Sequence, residues 1–260
     1  MELNEARVVV TGGGNGIGAA MARRFHAEGA ELIVVADVDR ASAEAVAEEI
    51  GGVAVTADLS TEEGNHEVLE AALEYGPIDL LCCNAGIAVN GGADAPDEGW
   101  QRSWDINVMA HVWATRFVLP SMLERGEGYI LTTASAAGLL GMIGSAPYSV
   151  TKHAAVAYAE WLSITHGAAG IGVSCLCPQG VRTNMLFPEG ANEDDPSLAS
   201  VRMHRVLEPE DVAEAVVQGL REERFLILPH PEVQDYVEAK ATDHEGWLAG
   251  MRRMQARLHS

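Results

Sequence analysis

The chain has 260 residues, 48% of them apolar, with a formal net charge of −21. That length suits one large domain, and that apolar content fills a sizeable core, which excludes disorder as the main state. The negative charge argues against a nucleic acid or an anionic membrane surface as partner.

Residues 1–7 carry acidic side chains and lack the basic start and apolar run of a secretory signal. No stretch approaches the roughly 18 uninterrupted apolar residues of a membrane span. The four cysteines fall as Cys82-Cys83 and Cys175-x-Cys177. Neither spacing suits zinc, so no metal is expected, and the four read as buried free thiols of a cytoplasmic protein.

Residues 7–11 (RVVVT) form a β-branched run that reads as a strand buried on both faces. Gly12, Gly16 and Gly18 follow in a turn that also carries Asn15 and Ile17, and a helical pattern then runs over 19–28. A strand, a glycine turn and a helix aim free N–H groups and the helix dipole at a phosphate. Residues 31–36 (ELIVVA) form a second strand ending at Asp37, nineteen residues after Gly18. A carboxylate there can accept from both ribose hydroxyls of an adenosine and would repel a 2′-phosphate. Its alternative role is to cap the helix over 41–50. Arg40 lies near enough to weigh towards NADP. Residues 52–56 form a third strand leading to Asp58 and Leu59, where Asp58 is placed either to meet an adenine amino group or simply to make a turn. Ser60 and Glu63 read as a capping box for a helix over 61–75.

Residues 78–83 form a fourth strand ending in Asn84, Ala85 and Gly86. A helical pattern over 103–123 carries Asn107 in its middle, which either points at solvent, kinks the helix or holds water, and Pro120 is placed to end or bend it. Residues 128–134 (GYILTTA) form a fifth strand that delivers Ser135 at its carboxyl end, the edge where open parallel sheets bind ligands. Tyr148 follows thirteen residues later and Lys152 four after that, one turn apart on a helix over 148–165. An ammonium there would favour the phenolate and pull the phenol towards working pH. A serine hydroxyl beside it could hold a carbonyl or alcohol oxygen.

Residues 171–177 form a sixth strand, ending in Pro178, Gln179, Gly180, Val181, Arg182 and Thr183. Residues 184–205 lack periodicity and read as a lid, with Met185, Leu186 and Phe187 as apolar wall. A helix over 208–222 and a seventh strand over 224–228 come next. The extension at 233–260 carries Trp247, Leu248, Met251 and Met254 at helical spacing, which reads as core or oligomer contact before substrate pocket. Strands alternating with helices define an α/β, Rossmann-like, doubly wound seven-stranded parallel sheet in a single domain over 1–260.

The series Thr11-Gly12 to Gly18, Asp58, Asn84-Ala85-Gly86, Asn107, Ser135, Tyr148 with Lys152, and Pro178 to Thr183 resembles the short-chain dehydrogenase/reductase family, in its classical single-domain branch. The resemblance spans residues 7–228. It implies that Tyr148 is the general acid/base, that Ser135 orients the substrate oxygen, and that Lys152 tunes Tyr148 and binds a nicotinamide ribose. It implies that Asn107 holds a water in a proton relay to Lys152, that Val181 and Thr183 hold the carboxamide, and that Ile17 lies beside the pyrophosphate. Gln179 departs from the family's usual glycine after Pro178. Family members are often tetramers, so a homo-oligomer, tetramer or else dimer, is expected, with Val156, Ala159 and Leu162 as a face consistent with it.

These residues together point to an NAD-dependent enzyme that interconverts a secondary alcohol and a ketone. NADP is the alternative cofactor, and a non-catalytic NAD(H)-binding sensor is the alternative of another class. Leu140, Met142, Met185, Leu186 and Phe187 suggest a neutral hydrophobic substrate: aryl, alicyclic, steroid-like or fatty.

Overall fold

The computed structural model describes residues 1–188 and 205–258. The β-branched run near the start becomes β1 (Arg7–Thr11), in the middle of a parallel sheet. Val9 pairs with Val34 on one side and Leu81 on the other. Its neighbours Val8 and Val10 enter the core on one face and Val9 the core on the other, which is why the run is continuously apolar. Around it stand β2 (Leu32–Asp37), β3 (Val53–Thr56), β4 (Leu80–Cys83), β5 (Gly128–Thr133), β6 (Ile171–Leu176) and β7 (Leu226–Ile227). Their order is β3-β2-β1-β4-β5-β6-β7. The chain winds outward in opposite directions from β1 and β4, so a crevice opens between their carboxyl ends.

One face is covered by α1 (Gly16–Ala27), α2 (Arg40–Ile50) and α8 (Pro209–Arg221). The other is covered by α3 (Glu62–Leu73), α5 (Ala110–Arg125) and α7 (Ala146–His166). Val156, Ala159 and Leu162 of α7 are buried in that second core and are not a free face for self-association. The apolar side chains that α7 does expose are Val150, Trp161 and Ile164.

Several expectations are corrected. The single helix over 103–123 is three pieces: α4 (Asp97–Trp104), a π turn (Asp105–Met109) and α5. Pro120 does not end α5, because it lies on the exposed side, where the carbonyl it cannot serve meets water. No capping box forms at Ser60 and Glu63. Thr61 is the cap of α3 instead, accepting from Gly64 N–H at 3.0 Å. Asp39, not Asp37, caps α2. A short helix, α6 (Ala137–Leu140), precedes α7, and the tail is two helices, α9 (Glu232–Thr242) and α10 (His244–Leu258). Most of the lid expected over 184–205 lies outside the described residues.

The packing of α6 on α7 sets where the middle of α7 lies. A Cβ on Gly138 would stand 2.5 Å from the Lys152 carbonyl oxygen and 3.0 Å from Val156 Cγ2. Replacing a helical glycine by alanine alone gains about 0.5–1 kcal/mol, but overpacking against backbone costs about 1–3 kcal/mol. Gly138→Ala should therefore lower the urea midpoint. An unchanged midpoint would mean that α6 and α7 are not locked at this contact.

Candidate active site

The carboxyl ends of the strands surround a cleft of about 2030 Å³. Its walls include Gly12, Asn15, Gly16, Ile17, Asp37, Asp58, Leu59, Asn84, Ala85, Gly86, Pro178, Gly180, Val181 and Thr183 on the side expected for a dinucleotide. Ser135, Tyr148, Lys152, Leu140, Met142, Met185 and Leu186 line the same space. Three expected residues do not. Gly18 lies behind the turn, where any Cβ would collide with the Gly12 carbonyl. Asn107 is fully buried behind the wall. Phe187 lies under the Arg182 guanidinium, 5.1 Å from ring centroid to Cζ, and is absent from the lining.

The glycine turn is held by a compact knot. Thr11 Oγ1 donates to Cys82 O at 3.1 Å and accepts from Asn84 N at 2.9 Å and Ala85 N at 3.1 Å. The Asn84 amide donates back to Thr11 O at 3.0 Å and Gly12 O at 3.2 Å. Gly12 and Gly16 adopt φ of +62° and +53°, which side chains rarely tolerate. A Cβ on Gly12 would stand 2.9 Å from Ala85 Cα, and one on Gly16 2.9 Å from Thr183 Cγ2. Asn15, the cap of α1, makes no side-chain bond, and the first turn holds no acidic residue. The first N–H groups of α1 thus face the cleft, an arrangement that fits a phosphate.

Asp37 accepts from Gly14 N and Asp39 N, each at 3.0 Å, and its carboxylate stands at the cleft mouth. Arg40 is paired with Glu44 at 2.7 Å and is not part of the lining. Asp58 is held below the usual carboxylate range, first by the Ser60 hydroxyl, then by the Ser60 N–H, with a further pull from Arg102. These residues fit the adenosine half of a nicotinamide dinucleotide.

At the catalytic end, Lys152 is buried and donates to Thr133 O at 2.9 Å. Burial pushes its ammonium down to about 8, against an upward pull from Cys177 and Cys175. Its Nζ lies 5.8 Å from the Tyr148 ring centroid. Tyr148 is partly exposed to the cleft. Burial raises its phenol above the ordinary value, and the Ser135 hydroxyl opposes that shift by hydrogen bonding. This corrects the expectation of a lowered phenol: in the protein alone, desolvation outweighs the Ser135 hydrogen bond, and Cys177 adds to the rise. Ser135 Oγ accepts from Ala137 N at 3.1 Å, which aims the hydroxyl from the end of β5.

Asn107 shows why the helix before α5 breaks. Its Oδ1 accepts from Ile87 N at 2.8 Å, and its Nδ2 donates to Ile87 O at 2.9 Å and Thr151 Oγ1 at 3.1 Å. Clamping the loop after β4 from inside a helix requires the extra residue of a π turn.

Gln179 is accommodated by a residue the sequence reading missed. His230 is buried, and its Nδ1 accepts from Gln179 N at 3.2 Å. Its Nε2 must then carry the proton and donate to Arg205 O at 3.1 Å. The imidazole is neutral, and burial lowers its pKa against the raising effect of the Arg205 carbonyl and Glu232. The other omission is the tail. Tyr236, Trp247, Met251 and Met254 line the cleft, so the Met and Trp stripe is pocket wall. Lys240 Nζ donates to Leu139 O at 2.6 Å and fastens α9 to α6. The helical spacing of the stripe was visible in the sequence, but the surface it meets was not.

Among the described residues, no group of three or more His, Cys, Asp or Glu could hold a metal ion, and no helix is long and apolar enough to cross a membrane. Cys82, Cys83, Cys175 and Cys177 are buried free thiols.

A doubly wound sheet with a glycine turn and a Ser, Tyr and Lys group on one edge is an architecture of oxidoreductases. The short chain dehydrogenase family matches the chain over residues 6–194, and the chain belongs to that family. It is 35% identical over 248 residues to the 1-deoxy-11-beta-hydroxypentalenate dehydrogenase of Streptomyces exfoliatus, covering 90% of this chain and 86% of the relative. A crystal structure of a short chain dehydrogenase/reductase from Burkholderia phymatum in complex with NAD superposes with a TM-score of 0.85 at 31% identity, over 94% of this chain and 96% of that one. A short-chain dehydrogenase from Sphingobium yanoikuyae in complex with NADPH superposes with a TM-score of 0.79 at 25% identity, over 94% and 95%.

The neutral His230 gives a pH test. An unfolded histidine titrates near 6.5, and the folded one lies lower, so the unfolded state takes up the proton first. Stability tied to His230 is present above about 6.5 and is lost as pH falls towards the folded value. His230→Gln keeps an acceptor that does not titrate. The variant's melting temperature relative to wild type should therefore rise between pH 7 and pH 5. Parallel curves would overturn the neutral assignment.

Proposed function

We propose that the protein is an NAD-dependent oxidoreductase that interconverts a secondary alcohol and a ketone on a neutral, hydrophobic substrate. The observation that carries this reading is the meeting of Tyr148, Ser135 and Lys152 in one cleft whose other end is the glycine turn and Asp37. When bound, the nicotinamide supplies or takes the hydride at the substrate carbon.

The chain's own residues handle the oxygen. Tyr148 gives its phenolic proton to the carbonyl oxygen in reduction and takes the hydroxyl proton in oxidation. Its raised pKa keeps the phenol protonated at neutral pH, ready for reduction. Ser135, fixed by Ala137 N, holds the reacting oxygen beside the phenol. Lys152 is an ammonium below about pH 8 and favours the phenolate when oxidation requires it. Asn107 orders the loop that carries Ile87 and with it the wall next to Lys152. Gly12, Asn15, Gly16 and Ile17 would take the pyrophosphate, Asp37 the adenosine ribose, Asp58 and Leu59 the adenine, and Val181 with Thr183 the carboxamide.

NAD is favoured over NADP by the carboxylate of Asp37 at the mouth and by the engagement of Arg40 with Glu44. The substrate class follows from the wall. Leu140, Met142, Met185, Leu186, Trp247, Met251 and Met254 offer apolar area with few polar partners, which suits aryl, alicyclic, steroid-like or fatty compounds better than a polyol. The relative named as a dehydrogenase of an 11-beta-hydroxy compound supports a hydroxylated substrate. Exposed Val150, Trp161 and Ile164 on α7 support self-association as a tetramer or dimer, and four free thiols suit the cytoplasm.

Purified protein should oxidise NADH with alicyclic or aryl ketones. Tyr148→Phe should bind NADH as wild type does and lose turnover by about 10²-fold or more. Retained turnover would mean that another acid/base does the work, and NADH binding without turnover in the wild type would favour a sensor. Asp37→Ala should weaken NADH binding and narrow the NADH over NADPH preference in fluorescence titration. Unchanged selectivity would remove the ribose role from Asp37.

A further inference from the structure

The fold does not explain the side chain of Gln179. Its backbone N–H donates to His230 Nδ1 at 3.2 Å, but every residue except proline brings that N–H, so the clamp does not call for glutamine. Nor does the backbone call for the glycine that the family usually has after Pro178. Among the described residues, Glu5 and Glu223 are the non-glycine residues with positive φ. Gln179 therefore stands in a backbone region open to side chains in general, and its carboxamide is held there without strain.

That carboxamide springs from a point beside the reacting group. The peptide group between Pro178 and Gln179 is fixed at both ends. Its carbonyl accepts from Ala136 N at 2.8 Å and from Ser135 Oγ at 3.4 Å, and its N–H is the one bonded to His230. Gln179 thus follows directly on the carbonyl that the Ser135 hydroxyl touches. The residue is partly exposed and lines the cleft. Its Oε1, however, is buried and has no hydrogen-bond partner among the described residues. The apolar wall of Leu140, Met142, Met185 and Leu186 offers no donor. A buried amide oxygen without a donor costs free energy that a hydrocarbon side chain would avoid, so packing alone does not favour glutamine here.

We propose that Gln179 is a specificity-determining residue, whose Oε1 accepts a hydrogen bond from a second hydroxyl of the substrate, on the carbon next to the reacting one. The substrate class is then a vicinal diol, or the α-hydroxyketone that is its oxidised partner, on an otherwise apolar skeleton. The inference rests on the reading of the cleft as an alcohol dehydrogenase site and narrows its substrate. Ser135 and Tyr148 take the reacting oxygen, and Gln179 takes its neighbour. A glutamine side chain is short, and its root lies against the Ser135 contact, so the second hydroxyl is adjacent to the first and not remote from it. That second hydroxyl keeps its proton throughout, and the hydride and proton balance is that of a simple alcohol. A substrate without it leaves Oε1 unpaired, which is the condition under which a site discriminates strongly.

The probes are cis- and trans-cyclohexane-1,2-diol, cyclohexanol, and cis- and trans-2-fluorocyclohexanol, each oxidised with NAD. Fluorine is close to a hydroxyl in size and cannot donate. Wild type should favour the better diol isomer over cyclohexanol by about tenfold or more in kcat/KM. It should favour that diol over the matching fluoro compound as well. Gln179→Met keeps the length of the side chain and removes the acceptor. It should bring the ratio of diol to cyclohexanol to within about twofold of unity, chiefly by raising KM for the diol.

Equal kcat/KM for diol and cyclohexanol in the wild type, a diol preference unchanged in Gln179→Met, or a fluoro compound accepted as well as the diol would overturn the proposal. So would a loss of NADH affinity in Gln179→Met with the diol preference kept, which would give Oε1 to the nicotinamide carboxamide. Should Gln179→Met fail to fold, Gln179→Gly also removes the acceptor and decides the matter. Diol binding to the NADH-loaded protein, read from NADH fluorescence, makes the same comparison without turnover. Binding about tenfold or more weaker in the variant supports the role, and equal binding overturns it. Failure of the alcohol dehydrogenase reading itself would show separately, as no turnover of any of the alcohols by the wild type or as turnover retained in Tyr148→Phe.

Discussion

Thr11 and Asn84 make the contact on which the rest of the site depends. They sit at the ends of β1 and β4, where the chain's winding reverses and the sheet by itself leaves a gap. Five hydrogen bonds among Thr11, Gly12, Cys82, Asn84 and Ala85 close the back of that gap. The glycine turn then has one shape, with α1 starting at Gly16 and its amides on the open side. Ala85 and Gly86 are fixed by the same bonds, and Gly86 borders the space shared by Asn107 and Lys152. The glycine turn and the Lys152 end of the cleft are thus set by a single knot of neutral hydrogen bonds. Each such bond contributes only about 1 kcal/mol to stability, but a buried donor left unmade costs more than that.

Burial is the second constraint, and it acts on the acid/base groups in opposite senses. It moves the Tyr148 phenol up and the Lys152 ammonium down to about 8, so two groups that begin close together are drawn apart. At rest the phenol is protonated, not the phenolate that a quick reading of a Tyr and Lys pair suggests, while the lysine keeps its charge below about pH 8. The same low-polarity surroundings hold the phenol protonated, and Ser135 partly offsets them.

The parallel sheet was legible in the sequence because buried strands are β-branched runs with turns at both ends. Strands 7–11 and 171–177 are accurate to within a residue of what the structure shows. The glycine turn, Asp37, Ser135, Tyr148 and Lys152 were legible because their chemistry is local in sequence. What escaped depends on contacts between distant segments. Asn107 looks like any polar residue in a helix until Ile87 comes against it. The His230 clamp on Gln179 joins positions 51 residues apart. The Met and Trp stripe of α10 has the same spacing whether it meets a core, a partner or a ligand. Gly18 belongs to the motif but serves the packing of the turn, a distinction that spacing alone does not draw.

The bond from Lys240 to Leu139 O ties the part of the cleft wall that the tail supplies to α6, which itself packs on α7 at Gly138. α9 and α10 supply Tyr236, Trp247, Met251 and Met254 to the wall, and the glycine turn supplies Gly12, Asn15, Gly16 and Ile17. Substitutions in the last thirty residues can reshape the wall where Trp247, Met251 and Met254 lie, while Ser135, Tyr148 and Lys152 stand on the end of β5 and on α7. Selection can then treat the tail as an exchangeable cassette, retuned for a new alcohol at little risk to cofactor use.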